Sequence, residues 1–228
     1  MTSSLQSFFA LLLAFLPLIS THTIITYPGW RGDNLHTNDT FPYGMQWMYP
    51  CGGMGPSTNR TLWPINGGAV SVQPGWFQGH STAFMYINMG FGTTPPNYSN
   101  PMVPVFQIQG PDNLPYPGSF CLPQVPLPTN APLAGVAVGQ NATIQVVEAA
   151  KHGAGLFNCV DITFAEASDV PEVNSSNCIN SSDISFNYVY TIAQNASSSD
   201  AVISLVSPSM ALFSASTVIA VLTAVMWL

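Results

Sequence analysis

A histidine at position 22 closes an apolar leader, in the stretch Leu18-Ile19-Ser20-Thr21-His22-Thr23-Ile24. Cleavage after Thr21 would make His22 the mature N-terminus. Such a residue offers two nitrogens together, its α-amine and its ring Nδ1. One further imidazole completes three nitrogens around a metal. Tetragonal N,O coordination of this kind suits Cu(II), which also heads the divalent affinity order. The remaining histidines are His36, His80 and His152. His80, in Gln78-Gly79-His80-Ser81, sits at the entrance to an expected strand, where a side chain projects from a sandwich rim. His36 lies beside a glycosylation sequon and His152 in a Gly-rich turn, so both read as surface residues.

One carboxylate stands apart. Asp161 lies in Cys159-Val160-Asp161-Ile162-Thr163-Phe164, the interior of an expected buried strand. Period-2 alternation puts Cys159, Asp161 and Thr163 on one face. Buried carboxylates need a cation or a metal. The chain holds only three Lys and Arg residues, so a metal is the expected partner.

The elements that must position these groups are short. Thr23 to Tyr27, Ala69 to Gln73 and Ser81 to Met89 read as strands. Val103 to Ile108 reads as an edge strand, because Pro104 cannot donate to a central ladder. Ala142–Glu148 and Phe157–Phe164 form the clearest hairpin, turning at Lys151 to Gly155, and Ile184 to Tyr190 is a final strand. Residues 30–68 and 110–132 read as irregular loops. With no long 3.6-residue apolar stripe, the pattern favours an all-β antiparallel sandwich.

Both ends of the chain look processed. Residues 1–21 have the apolar run of a signal peptide; cutting after Ser20 instead would take the free amine from His22. Residues 210–228 form an uncharged apolar run with no basic flank. Upstream lie Asn195-Ala196-Ser197-Ser198-Ser199-Asp200 and a spacer, the layout of a GPI signal with Ser197 or Ser198 as attachment point. A tail-anchored helix is the competing reading. The division is therefore leader 1–21, domain 22–192, Ser-rich stalk 193–209 and a removed tail 210–228.

Ten acidic residues against Arg31, Arg60 and Lys151 rule out a polybasic surface, so no nucleic acid partner is expected. Solubility would come from glycans: Asn38, Asn59, Asn97, Asn141, Asn174, Asn180 and Asn195 each begin an Asn-x-Ser/Thr triplet. Four cysteines in a secreted chain read as two disulfides, and they allow three pairings. Cys51–Cys159 with Cys121–Cys178 is favoured, since the first ties the N-terminal third to the strand of Asp161.

Together, His22-Thr23-Ile24-Ile25-Thr26-Tyr27-Pro28, Pro50-Cys51-Gly52-Gly53, Gly79-His80-Ser81, Phe157-Asn158-Cys159-Val160-Asp161-Ile162, the stalk and the tail resemble a known family. They are similar to the fungal GPI-anchored copper-binding proteins related in fold to lytic polysaccharide monooxygenases, the group named for a copper acquisition factor. The resemblance covers about His22 to Tyr190. It implies an immunoglobulin-like sandwich and one copper ion, held by a histidine brace of His22 (amine and Nδ1) and His80, with Asp161. It also implies copper handling at the cell surface rather than catalysis, with a membrane copper transporter as the expected partner and the outer leaflet of the plasma membrane as the location. A copper monooxygenase acting on cell-wall polysaccharide is the alternative, and a metal-free wall glycoprotein the third reading.

Overall fold

A computed structural model describes residues 23–33, 46–75, 78–112, 118–131 and 136–189. His22, His36, Asn38, Asn195, Ser197, Ser198, the leader, the stalk and the tail lie outside the described residues. Ten strands account for most of the order: β1 Ile24–Tyr27, β2 Thr61–Pro64, β3 Gly68–Gln73, β4 Thr82–Phe91, β5 Asn100–Pro101, β6 Phe106–Gln109, β7 Phe120–Val125, β8 Asn141–Ala150, β9 Gly155–Ala165 and β10 Ser185–Tyr188. They form two sheets. The smaller has the order β1-β3-β7; the larger runs β10-β6-β4-β8-β9-β2, with β5 paired to β4. The expected β-sandwich is therefore what the chain forms.

Alternation decides which face of each strand is buried. In β4, Ala83, Met85, Ile87 and Met89 are buried, while Phe84 and Tyr86 between them are exposed. In β8, Ala142, Ile144 and Val146 join the same core. Register places Ile87 opposite Val146 and Met89 opposite Ile144, so the rows stack across the sheet. Val70 and Val72 of β3 and Phe120 of β7 supply the opposing layer, and Trp63 of β2 is fully buried. Burying each such side chain contributes about 1.5–3 kcal/mol.

Three expectations need correction. Residues 30–68 and 110–132 are not wholly irregular, since β2 and β7 lie within them. Prolines masked both strands. Pro64 closes β2 at the sheet edge, and Pro123 falls in β7 where the register to β3 shifts between Gly68 and Val70, a bulge position that needs no ladder donor. The segment around Pro104 is not an edge strand either: β6 starts at Phe106, after the proline, and lies between β4 and β10. Finally, the pairing is not antiparallel throughout, because β2 runs parallel to β9.

Two disulfides, Cys51–Cys159 and Cys121–Cys178, tie loops to the sheets; this is the favoured pairing. Arg60 donates to the carbonyls of Ala142 and Ile162, each at 3.1 Å, and of Thr93 at 2.8 Å, fastening the approach to β2 across β8 and β9. Of the sequons, Asn59, Asn97, Asn174 and Asn180 are exposed and Asn141 is half-buried.

Candidate metal centre

The end of the larger sheet where β4 begins and β8 finishes gathers four residues of interest: Thr23, His80, Glu148 and His152. Glu148 is there by strand parity. It is the next inward position after Ala142, Ile144 and Val146, so an acidic side chain interrupts an apolar row that Ala150 closes. Register sets it opposite Met85 on β4 and Leu156 on β9, and it is fully buried. His80 lies two residues before the start of β4 and is 2 % exposed. Its Nδ1 lies 3.2 Å from Glu148 Oε1.

Thr23 completes the corner. Its N–H donates to Gln46 Oε1 at 2.8 Å, and its carbonyl accepts from Gln46 Nε2 at 2.8 Å and Asn158 Nδ2 at 2.7 Å. Its hydroxyl donates to Glu148 Oε2. The residue that follows His22 in the chain is thus pinned through main chain and side chain alike, against the carboxylate that faces His80.

This corner fits a metal. Glu148 Oε1 is buried and accepts no hydrogen bond among the described residues. An ionised carboxylate oxygen in that state is costly without a cation. The 3.2 Å between it and His80 Nδ1 is a spacing that two donors can share around one first-row ion with bonds of about 2.0–2.2 Å. Imidazole and carboxylate are both ligands for such ions. Among the described residues no three of His, Cys, Asp and Glu converge to hold a metal, so the pair supplies two donors and lacks a third.

Asp161 is elsewhere. It is buried, as expected, but the premise that no cation is at hand for it is corrected by Arg31. Arg31 Nε donates to Oδ2 at 2.8 Å and Nη2 to Oδ1 at 2.9 Å. Thr143 Oγ1 donates to Oδ1 at 2.6 Å and the Ser57 N–H to Oδ2 at 2.8 Å. Two oxygens with about four acceptor sites between them receive four donors, which leaves no lone pair for a metal. Asp161 pairs with Thr143 in the ladder and Glu148 with Leu156. The two carboxylates are therefore five residues apart along the strands, about 16 Å, and they point from opposite faces of the sheet. The distance in sequence between Arg31 and Asp161 hid the ion pair. Arg31 arrives on a loop anchored by its own N–H to the Cys159 carbonyl at 2.6 Å.

Sequence reasoning missed two residues at the corner. Glu148 could have been found by extending the inward row of β8 by one step. His152 was placed correctly in an exposed turn, but its ring packs against His80, centroids 4.5 Å apart and planes inclined at 67°. No local pattern announces that contact. It depends on the hairpin turn folding back over the start of β4, where the Lys151 N–H donates to the Thr82 carbonyl at 2.9 Å.

A buried histidine–carboxylate corner thus lies at the rim of the β-sandwich, beside its first strand, and the relatives of the chain are copper-related proteins similar to lytic polysaccharide monooxygenases. The sequence profile described as "Copper acquisition factor BIM1-like" matches residues 20–183, and the chain belongs to that family. Lytic polysaccharide monooxygenase-like protein X325 of Aspergillus fumigatus is 61 % identical over 191 residues, covering 76 % of this chain and 79 % of that protein. A lytic polysaccharide monooxygenase-like protein of Emericella nidulans is 56 % identical over 210 residues, covering 84 % and 85 %. Lytic polysaccharide monooxygenase-like protein ham-7 of Neurospora crassa is 57 % identical over 189 residues, covering 80 % and 81 %.

Proposed function

We propose that the mature chain binds one Cu(II) ion at the cell surface and serves copper uptake or homeostasis without catalysing oxidation. His22, freed by cleavage after Thr21, supplies its amine and ring nitrogen. His80 supplies a third nitrogen, and Glu148, in place of the expected Asp161, supplies an anionic oxygen. The observation that carries this reading is the clamp on Thr23, which fixes the chain one peptide bond from His22 against Glu148 and His80. The GPI anchor holds the protein to the outer leaflet, where a membrane copper transporter would receive the ion.

The carboxylate supports binding over catalysis. An anionic ligand stabilises Cu(II) relative to Cu(I), and reductive activation of O₂ starts from Cu(I). Glycans on the exposed sequons also obstruct docking on a flat polysaccharide. The test combines N-terminal sequencing of secreted protein with Cu(II) titration followed by EPR. A mature terminus at His22, one equivalent bound and a nitrogen-rich spectrum are expected. A terminus at Thr21 or Thr23 refutes the brace. Oxidised oligosaccharides released in the presence of reductant would establish the monooxygenase reading instead.

A further inference from the structure

His80 and Glu148 are buried, yet an ion must reach them from water. The side from which it can come is marked by His152. This imidazole is exposed, on the β8–β9 turn, and its ring is in edge contact with that of His80 at a centroid distance of 4.5 Å. The turn is held, not loose. The Ala150 N–H donates to the Ala154 carbonyl and the Gly153 N–H to the Ala150 carbonyl, both at 2.8 Å. Lys151 pairs with Asp112 across the neighbouring loop. Gly79, with φ 85°, lets the ring approach: a Cβ there would lie 3.2 Å from His152 Cδ2. Gln78, Gly79, Asp112, Lys151 and His152 line an open depression at this point.

We infer that His152 is a transfer ligand, the exposed imidazole that takes copper from an incoming carrier and passes it to the buried His80, and that returns it by the same route. This rests on the copper-binding reading above. His80, Glu148 and His152 do not converge on one point, so His152 is no fourth member of the resting site. It stands one step outward, as an exchange ligand should. No bond changes other than metal–ligand bonds, and no electron is transferred: the carrier's donor leaves as the imidazole nitrogen binds, and that nitrogen leaves as the inner donors close. Imidazole is a good intermediate ligand for Cu(II), because it binds well in neutral form and is displaced without a charge penalty.

The test uses the mature secreted protein loaded with one Cu(II), and the chelator EDTA as the receiving carrier. Wild type, His152→Ala and His152→Gln are compared by stopped-flow absorbance for copper removal and loading, and by EPR at equilibrium. Both variants should keep the wild-type EPR spectrum. Both should exchange copper about tenfold more slowly in each direction, the low end of what supporting residues contribute at metal sites. Exchange within twofold of wild type overturns the inference while leaving the copper-binding reading intact. Faster exchange in the variants also overturns it and makes His152 a cover over His80. A changed EPR spectrum in both variants would overturn it too, by making His152 a resting ligand. Failure of the wild type to bind Cu(II) at all removes both the inference and the reading beneath it.

Discussion

Substituting Asp161 separates stability from metal binding. Its carboxylate is completely buried and the Arg31 side chain is only 3 % exposed. Asp161→Ala leaves a buried guanidinium with two donors unanswered, and orphans the Thr143 hydroxyl and the Ser57 N–H as well. Breaking a buried pair from one side costs about 3–5 kcal/mol. Against a typical total of about 5–15 kcal/mol that is a large share, and for a domain of this size it lowers Tm by about 6–20 °C. Arg31→Met should cost a similar amount. The double variant Arg31→Met/Asp161→Leu should recover much of the loss, because neither charge is then stranded. The assay is thermal and guanidinium unfolding of apo-protein with both disulfides intact. Cu(II) EPR is recorded in parallel well below Tm, where the folded variants should give the wild-type spectrum. The reasoning is refuted if Asp161→Ala leaves Tm within about 2 °C of wild type while shifting the EPR parameters. Asp161 would then be a ligand and its pairing with Arg31 incidental.

Other outcomes follow from the same contacts. Glu148→Gln preserves shape but removes charge, so Cu(II) affinity should fall, the reduction potential should rise and the apo-domain should be no less stable; titration and voltammetry check this. His80→Ala should damage copper affinity more than Glu148→Gln, since it removes a nitrogen, and isothermal titration gives the order. Removing either disulfide by paired Cys→Ala substitution should cost about 4–5 kcal/mol, for closed loops of 108 and 57 residues, read from guanidinium midpoints. The hydrogen bond from Lys151 holds Asp112 below its ordinary carboxylate range. A depressed folded pKa gives stabilisation present above the unfolded value and lost as pH falls through the folded one. NMR of the Asp112 carboxyl carbon should therefore show the pair surviving mild acid and opening only at lower pH, and Lys151→Met should move its titration upward, toward the ordinary range.

Much of this was legible because β-structure writes itself into alternation. The rows of β4 and β8 and the turn between β8 and β9 could be read off directly. What failed was local grammar interrupted by proline, as in β2 and β7, where bulge and edge positions excuse a missing donor. The site was half legible for a different reason. The alternation that correctly buried Asp161 could not show that Arg31 lay across from it, because the contact spans 130 residues. The same periodicity, carried one step past Val146, pointed Glu148 inward. Two buried acids in adjacent strands looked equivalent in sequence. Only their neighbours distinguish the one answered by an arginine from the one facing a histidine.

The use of the cations has a consequence for proteolysis. The chain has three Lys and Arg residues, so an enzyme that cuts after basic residues has three bonds to choose from. Arg31 is locked to Asp161 and the Arg60 guanidinium rests on three carbonyls, which withdraws both side chains from a protease pocket. Lys151 stands on the exposed turn, its side chain 59 % accessible, and the bond to His152 is the one open to attack. A nick there separates Cys51 and Cys121 from Cys159 and Cys178, and both disulfides bridge the break. The cleaved molecule stays in one piece until it is reduced. Trypsin followed by a reducing gel thus reports on that single turn.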